Sequence, residues 1–89
     1  MHQPLPDEEL DAIERRCSAA LPGPWQSIIE GRDMTSGSSF IMTGSDDLYL
    51  STGGPAVSYA DHDFIAAARQ DVPRLLAEVR RLRQLLEQR

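Results

Sequence analysis

Residues 61–88 read DHDFIAAARQDVPRLLAEVRRLRQLLEQ, and within them Ile65, Ala68, Val72, Leu75, Val79, Leu82 and Leu86 advance alternately by three and four residues. This is the spacing of a helix that presents one apolar seam to another helix. Ile65, Val72 and Val79 share one core position of the heptad, and Ala68, Leu75 and Leu82 share the other. β-branched residues followed by leucines is the order that parallel dimers prefer. In that register Glu78 takes a g position and Arg83 the e position five residues on, so the two can pair across a parallel interface. Leu76 and Leu85 fall at e and g and widen the stripe, toward a larger bundle or toward packing on the chain's own body. An ordinary amphipathic helix that packs only within its own chain would carry a similar stripe. Pro73 has no amide hydrogen and restricts Val72, so the segment is expected to be kinked or split into residues 61–70 and 73–88. Asp61 is the expected N-cap, with Asp63 in the first turn.

Upstream of the seam the period changes. Residues 25–32, 39–43 and 48–52 are short runs rich in β-branched, aromatic or large apolar side chains, separated by polar, glycine-containing connections. Connections this short favour antiparallel neighbours, which predicts a small three-stranded meander. Residues 6–20 return to helical spacing, with Leu10, Ile13, Cys17, Ala20 and Leu21 on one face. Pro6 suits the start of that helix, Asp7, Glu8 and Glu9 favour its positive end, and Arg15 and Arg16 lie toward the other. Leu21-Pro22-Gly23-Pro24 must end it. The fold class expected is α+β: an N-terminal helix, a three-stranded antiparallel sheet and a C-terminal helix of coiled-coil character. Residues 1–60 would form the body and 61–89 the helical association segment of one domain.

A chain of 89 residues buries little surface and is marginally stable. One cysteine, Cys17, gives no disulfide, and no Cys/His spacing suits structural zinc, so oligomerisation is the remaining staple for so small a scaffold. The lone thiol fits a reducing compartment. No cationic stretch followed by an apolar core opens the chain, and no run is long enough to span a bilayer, so a soluble cytoplasmic protein is expected. Charge is divided unevenly along the chain. Residues 1–68 hold three arginines against eleven acids, a net of −8, whereas residues 69–89 hold six arginines against three acids, a net of +3. There is no lysine, which codon bias in a GC-rich genome explains most simply.

No set of side chains reaches the strength of a reaction assignment. Asp61-His62-Asp63 gathers a histidine and two carboxylates, but neighbours on a helix start point apart, and a capped start with a solvated histidine is the plainer reading. Asp46-Asp47 suits a hairpin turn better than a calcium or catalytic pair. Ser51-Thr52-Gly53-Gly54-Pro55 lacks the lysine and glycine spacing of a phosphate-binding loop. Cys17 with His62 would make a nucleophile and its base, yet Cys17 lies on an apolar helix face. Trp25, Phe40, Tyr49, Tyr59 and Phe64 are needed to fill a small core, with Trp25 closing the corner after Pro24. Arg69, Arg74, Arg80, Arg81, Arg83 and Arg89 raise nucleic-acid binding, but Asp71, Glu78 and Glu87 interrupt them and no DNA-binding motif frames them. No catalytic, cofactor or metal residues are assigned and no enzyme activity is expected.

Ala19-Ala20-Leu21-Pro22-Gly23-Pro24-Trp25, with Asp63-Phe64-Ile65-Ala66-Ala67-Ala68-Arg69 running into Asp71-Val72-Pro73-Arg74-Leu75-Leu76-Ala77-Glu78-Val79, resembles small phage and prophage proteins of the "ead" early-region type and their relatives in actinobacterial genomes. The resemblance covers the two ends, about a third of the chain, and skips the strands. It implies a phage or mobile-element setting, a compact domain and a C-terminal helix with coiled-coil character; that family brings no established activity, so no site residue follows from it. The expected function is that of a non-enzymatic, oligomeric interaction or regulatory protein. Its association surface is Ile65, Ala68, Val72, Leu75, Leu76, Val79, Leu82, Leu85 and Leu86, and its partners are a second copy and a host or phage protein. Competing readings are an acidic inhibitor or DNA mimic, drawn from the acidic body, and a nucleic-acid binder through the arginine-rich helix.

Overall fold

The computed structural model describes residues 4–50 and 58–88. In chain order they form helix α1 (Asp7–Ala19), strand β1 (Gln26–Ile28), strand β2 (Phe40–Met42) and helix α2 (Tyr59–Glu87), an α+β arrangement. The chain divides into two compact units, one made of Met1–Ala20 with Asp71–Arg89, the other of Leu21–Gln70. The boundary falls inside α2, so α1 belongs with the C-terminal half of that helix and the strands with its N-terminal half.

In the first unit, α1 starts where Pro6 holds an extended conformation, with Asp7, Glu8 and Glu9 in the first turn. The Glu9 and Leu10 amides donate to the Pro6 carbonyl at 3.0 and 3.2 Å. The helix ends when Ala20 turns extended ahead of Pro22. Leu10 is buried, Ile13 and Cys17 are half-buried, and Ala20 and Leu21 are exposed, so the packed stripe is shorter than the spacing predicts. Its partner across the unit is Leu76, the other buried apolar side chain among the described residues there.

In the second unit β1 and β2 pair antiparallel, with Ser27 opposite Ile41. Among the described residues the sheet has these two strands. Leu48 adds one antiparallel bridge, exchanging hydrogen bonds of 2.8 and 2.9 Å with Ile41. Residues 51 and 52, at the end of the expected third strand, lie outside the described residues, as do the 51–55 loop and Arg89. The first strand is shorter than residues 25–32 because the chain winds around the Ile29 carbonyl, which accepts from the amides of Arg32 and Asp33 at 3.1 and 2.8 Å. Gly31, at φ 84°, supplies the left-handed residue this turn requires. The Asp33 carboxylate accepts from the Ile29 amide at 2.9 Å and closes it. Ile29, Ile41, Ala66 and His62 are the buried centre of the unit.

Helix α2 departs from expectation at both its start and its middle. Ser58, not Asp61, caps it: the Ser58 Oγ accepts from the Asp61 amide at 3.1 Å and donates to the Asp61 carboxylate at 2.8 Å. Asp61 is therefore the reciprocal acid three residues inside a capping box. The helix also runs without interruption through Pro73 instead of splitting there. Proline removes one rung of a helical ladder and disfavours the helical region for the residue before it. A helix of 29 residues retains the hydrogen bonds on either side of that gap.

Candidate functional site

The C-terminal half of α2 carries two apolar sides with different fates. Leu76 is 9% exposed, whereas its neighbour Leu75 is 65% exposed, Leu82 46% and Leu86 63%. Residues 76, 80 and 83 are three or four apart and share the side that meets α1; residues 75, 82 and 86 share the adjoining side, which is open outward, with Leu75 at its edge toward α1. Val72 and Val79 lie on the shoulder between, Val79 half-buried and Val72 exposed, and Leu85 is exposed on the far flank. Of the sequence-predicted surface, Ile65 and Ala68 belong to the other unit, Ile65 exposed and Ala68 half-buried.

Charges reinforce the side facing α1. Arg80 Nη2 donates to Asp11 at 3.0 Å and lies 3.7 Å from Glu14. Arg83 Nη1 donates to Asp7 at 3.2 Å, and its Nη2 donates to the Leu5 carbonyl. The g and e residues expected to pair between copies thus both have partners within the chain: Arg83 holds α1, and Glu78 accepts from Arg81 three residues on along the same helix. That contact keeps the Glu78 carboxyl below its ordinary range.

Between α1 and this half of α2 lies a hollow of about 140 Å³ walled by Leu5, Leu10, Ile13, Val72, Leu75, Leu76 and Val79, all apolar. On the outer side, Leu75 also borders an open recess of about 510 Å³ with Asp71, Arg74 and Glu78. Arg74 and Asp71 have no ion-pair partner among the described residues.

The second unit contains a polar cluster that the sequence reading does not assemble. The Arg32 guanidinium clasps Asp63 with two hydrogen bonds of 2.9 Å, donates to Ser27 Oγ at 3.1 Å, and donates through Nε to Asp33 at 3.0 Å. Ser27 in turn donates to Asp63. Hydrogen bonds from Arg32, and then from Ser27, hold the Asp63 carboxyl down at about 2. Asp33 is also lowered, first by Arg32 and then by the Ile29 amide, and Arg32 is raised by the same contacts. A recess of about 320 Å³ adjoins the cluster, lined in part by Trp25, Ala66 and Gln70. With its fork closed on Asp63, the guanidinium offers no free pair of donors to a phosphate. The cluster clips β1 and the turn after it to α2. No local pattern announces this, because Ser27, Arg32 and Asp63 meet only through the fold.

The remaining sequence candidates separate. His62 is 1% exposed, so the expectation of a solvated histidine is corrected: its ring packs into the unit's centre, Nδ1 lies 3.0 Å from the Ser58 carbonyl, and Nε2 has no partner among the described residues. Its neighbours diverge, Asp61 to Ser58 and Asp63 to Arg32. Among the described residues no group of three or more His, Cys, Asp or Glu side chains is placed to hold a metal ion. Cys17 and His62 belong to different units. Asp46 and Asp47 are exposed on a turn that the Thr43 hydroxyl closes by donating to the Asp46 carbonyl at 2.9 Å. Arg69 Nε donates to the Leu21 carbonyl at 2.7 Å, and the Trp25 backbone bonds to Gln70, so the Pro-Gly-Pro-Trp corner is fastened to α2. Trp25 is half-buried there. Of the other aromatic residues, Phe40 and Tyr49 stack with centroids 5.2 Å apart, while Tyr59 and Phe64 are exposed and do not fill the core. No helix among the described residues is long and apolar enough to cross a membrane. Comparison with protein-family models, with characterised proteins and with solved structures found no match to this chain.

Proposed function

We propose that this is a small, non-enzymatic, oligomeric interaction or regulatory protein that associates with a second copy through the C-terminal half of α2. The observation that carries the reading is the outward face of Leu75, Leu82 and Leu86, three leucines about half exposed or more on one side of a helix whose other side is already packed. Isolated exposed leucines are ordinary, but a periodic row of them on a helix has the form of an interface. The coiled-coil character expected from the heptad, the third strand extending from the Leu48 bridge, a cytoplasmic location and a phage or mobile-element setting belong to the same reading. Through the oligomer the chain would act on a host or phage protein.

The arginine pairing disfavours nucleic-acid binding. Arg80, Arg81 and Arg83 each have an acidic partner in the chain, which leaves Arg74 as the one arginine of residues 71–88 without an acid. Affinity for nucleic acid grows with the number of phosphates neutralised, so pairing three of the six arginines of residues 69–89 with acids of the chain lowers it. Pairing also removes part of the acidity from α1, because Asp7, Asp11 and Glu14 face Arg80 and Arg83. This weakens the acidic-decoy reading in that unit.

The test is the solution mass by light scattering over a dilution series, comparing the intact chain with a Leu75→Asp, Leu82→Asp double variant. A dimer or larger species that becomes a folded monomer in the variant is expected. A monomer in both refutes the reading.

A further inference from the structure

The same face also fixes how two copies would meet. We propose that the second copy docks antiparallel, with Leu86 of each protomer entering the hollow beside Val72, Leu75 and Val79 of the other and Leu82 lying against its rim, while α1 stays in place. This deepens the self-association reading above and rests on it.

Part of the seam is already occupied. A two-stranded parallel seam needs the e side of the heptad, but Leu76 is buried there and Arg83 is bonded to Asp7 and the Leu5 carbonyl. What remains open is the row Leu75, Leu82 and Leu86 and the apolar hollow beside its first member. The hollow, about 140 Å³ and walled by apolar residues alone, matches the size of an apolar cavity of about 150 Å³ that admits a benzene-sized guest. It has room for the end of one leucine.

Hollow and leucines lie at different heights on the helix. The α2 residues of the hollow run from Val72 to Val79 and the protruding pair is Leu82 and Leu86, so at 1.5 Å per residue their centres are about 13 Å apart. In a twofold dimer the same patch serves both copies. Parallel helices in register would set hollow against hollow and leucine against leucine. Antiparallel helices with the axis near Val79 set each leucine pair against the partner's hollow and fill both. Charge agrees with this arrangement: near the axis Glu78 of one copy approaches Arg81 of the other, so the two intrahelical pairs alternate in sign. Area agrees as well. The exposed parts of Leu5, Val72, Leu75, Leu82, Leu85 and Leu86 offer on the order of 500 Å² of apolar surface per copy, and the polar rim of Asp71, Arg74 and Glu78 brings this toward the roughly 800 Å² per partner of a standard interface.

Thiol trapping tests the orientation. Two single-cysteine chains are made in a Cys17→Ser background, one carrying Val72→Cys and the other Leu86→Cys, then mixed in equal amounts and oxidised, and the disulfides are counted by mass spectrometry. An axis near Val79 brings position 72 level with position 86 of the partner, each being seven residues from it, and holds like positions about 21 Å apart along the helix, beyond the roughly 7 Å limit for a disulfide. The mixed disulfide is expected to exceed either like-with-like product by about fivefold or more. Predominant like-with-like products, a statistical mixture or no trapping overturns the antiparallel docking. Light scattering on the Cys17→Ser chain separates the two claims: a dimer with the wrong disulfides leaves self-association standing, and a monomer removes both.

Discussion

Leu75 and Leu76 are adjacent in sequence and chemically identical, and truncating each to alanine is expected to give opposite results. Leu76 is 9% exposed and, with Leu10, is one of two buried apolar side chains among the described residues of its unit. Leu→Ala at a buried site costs about 2–5 kcal/mol, the transfer free energy plus a cavity contribution. Leu76 already borders a hollow of about 140 Å³, so its loss merges with existing void and the neighbours gain little by collapsing. A loss of about 3 kcal/mol is the expected value, against a total of roughly 4–13 kcal/mol for a chain this long. Leu75 is 65% exposed, so folding recovers only about a third of the 1.5–3 kcal/mol available from burying it, and truncation should cost under about 1 kcal/mol. Its effect should fall on association, raising the dimer dissociation constant tenfold or more, the equivalent of about 1.4 kcal/mol. Urea unfolding followed by far-ultraviolet circular dichroism, at protein concentrations below that dissociation constant, measures the first quantity, and sedimentation equilibrium measures the second. The packing argument is refuted if the Leu75 variant loses as much monomer stability as the Leu76 variant, or if the Leu76 variant alone dissociates the dimer.

Asp63, held at about 2 by Arg32 and Ser27, stabilises the fold fully above its ordinary value of 3.8 and loses that contribution as pH falls from there toward 2. Carboxyl NMR should show Asp63 titrating well below 3.8, and an Asp63→Asn chain should lose the part of the acid dependence in that window; an Asp63 that titrates at its ordinary value disproves the clip. Ser58→Ala should cost about 1 kcal/mol by thermal or urea unfolding while Ser58→Asp retains most of the stability, and equal losses in the two would show that the cap is not the cause. Asp7→Asn, which breaks an exposed pair with Arg83, should change stability by at most about 0.5 kcal/mol, since exposed ion pairs contribute little. A larger loss, abolished by 1 M salt, would mean that charge and not Leu10 and Leu76 holds α1 in place.

The elements that follow from short-range periodicity were readable in the chain. Helix α1 lies where Leu10, Ile13 and Cys17 recur, and α2 where the seam does. Of the kink or split expected at Pro73, the split does not occur, because the cost of proline in a helix interior is a few kcal/mol and a long helix with a packed side can bear it. Local chemistry misled at Asp61 because Ser58, three residues earlier, forms the capping box instead. The β1 strand ended early for a reason that needs a side chain, the Asp33 carboxylate reaching back to Ile29. The division of the seam into a covered and an open side was not readable, since it depends on where α1 lies. Heptad letters make Leu75 and Leu76 nearly equivalent; the structure distinguishes them. The Ser27, Arg32 and Asp63 cluster was out of reach for the same reason, its members being 31 and 36 residues apart in the chain.

One contact has a consequence for which substitutions the chain can accept over time. Gln70 accepts from the Trp25 amide at 2.9 Å and donates to the Trp25 carbonyl at 3.2 Å, so its side chain pairs with that residue as a neighbouring strand would. Only a primary amide can both accept and donate in this way, and asparagine is shorter by one methylene. Gly23 is constrained by the same group, because a side chain there would bring its Cβ to 3.3 Å from the Gln70 Oε1 and the amide would have to shift by a few tenths of an ångström. Positions 23 and 70 are therefore tied as a pair. Slow deamidation of Gln70 would age the protein at this point, exchanging a donor for a negative charge beside a carbonyl oxygen and loosening the corner that Trp25 occupies.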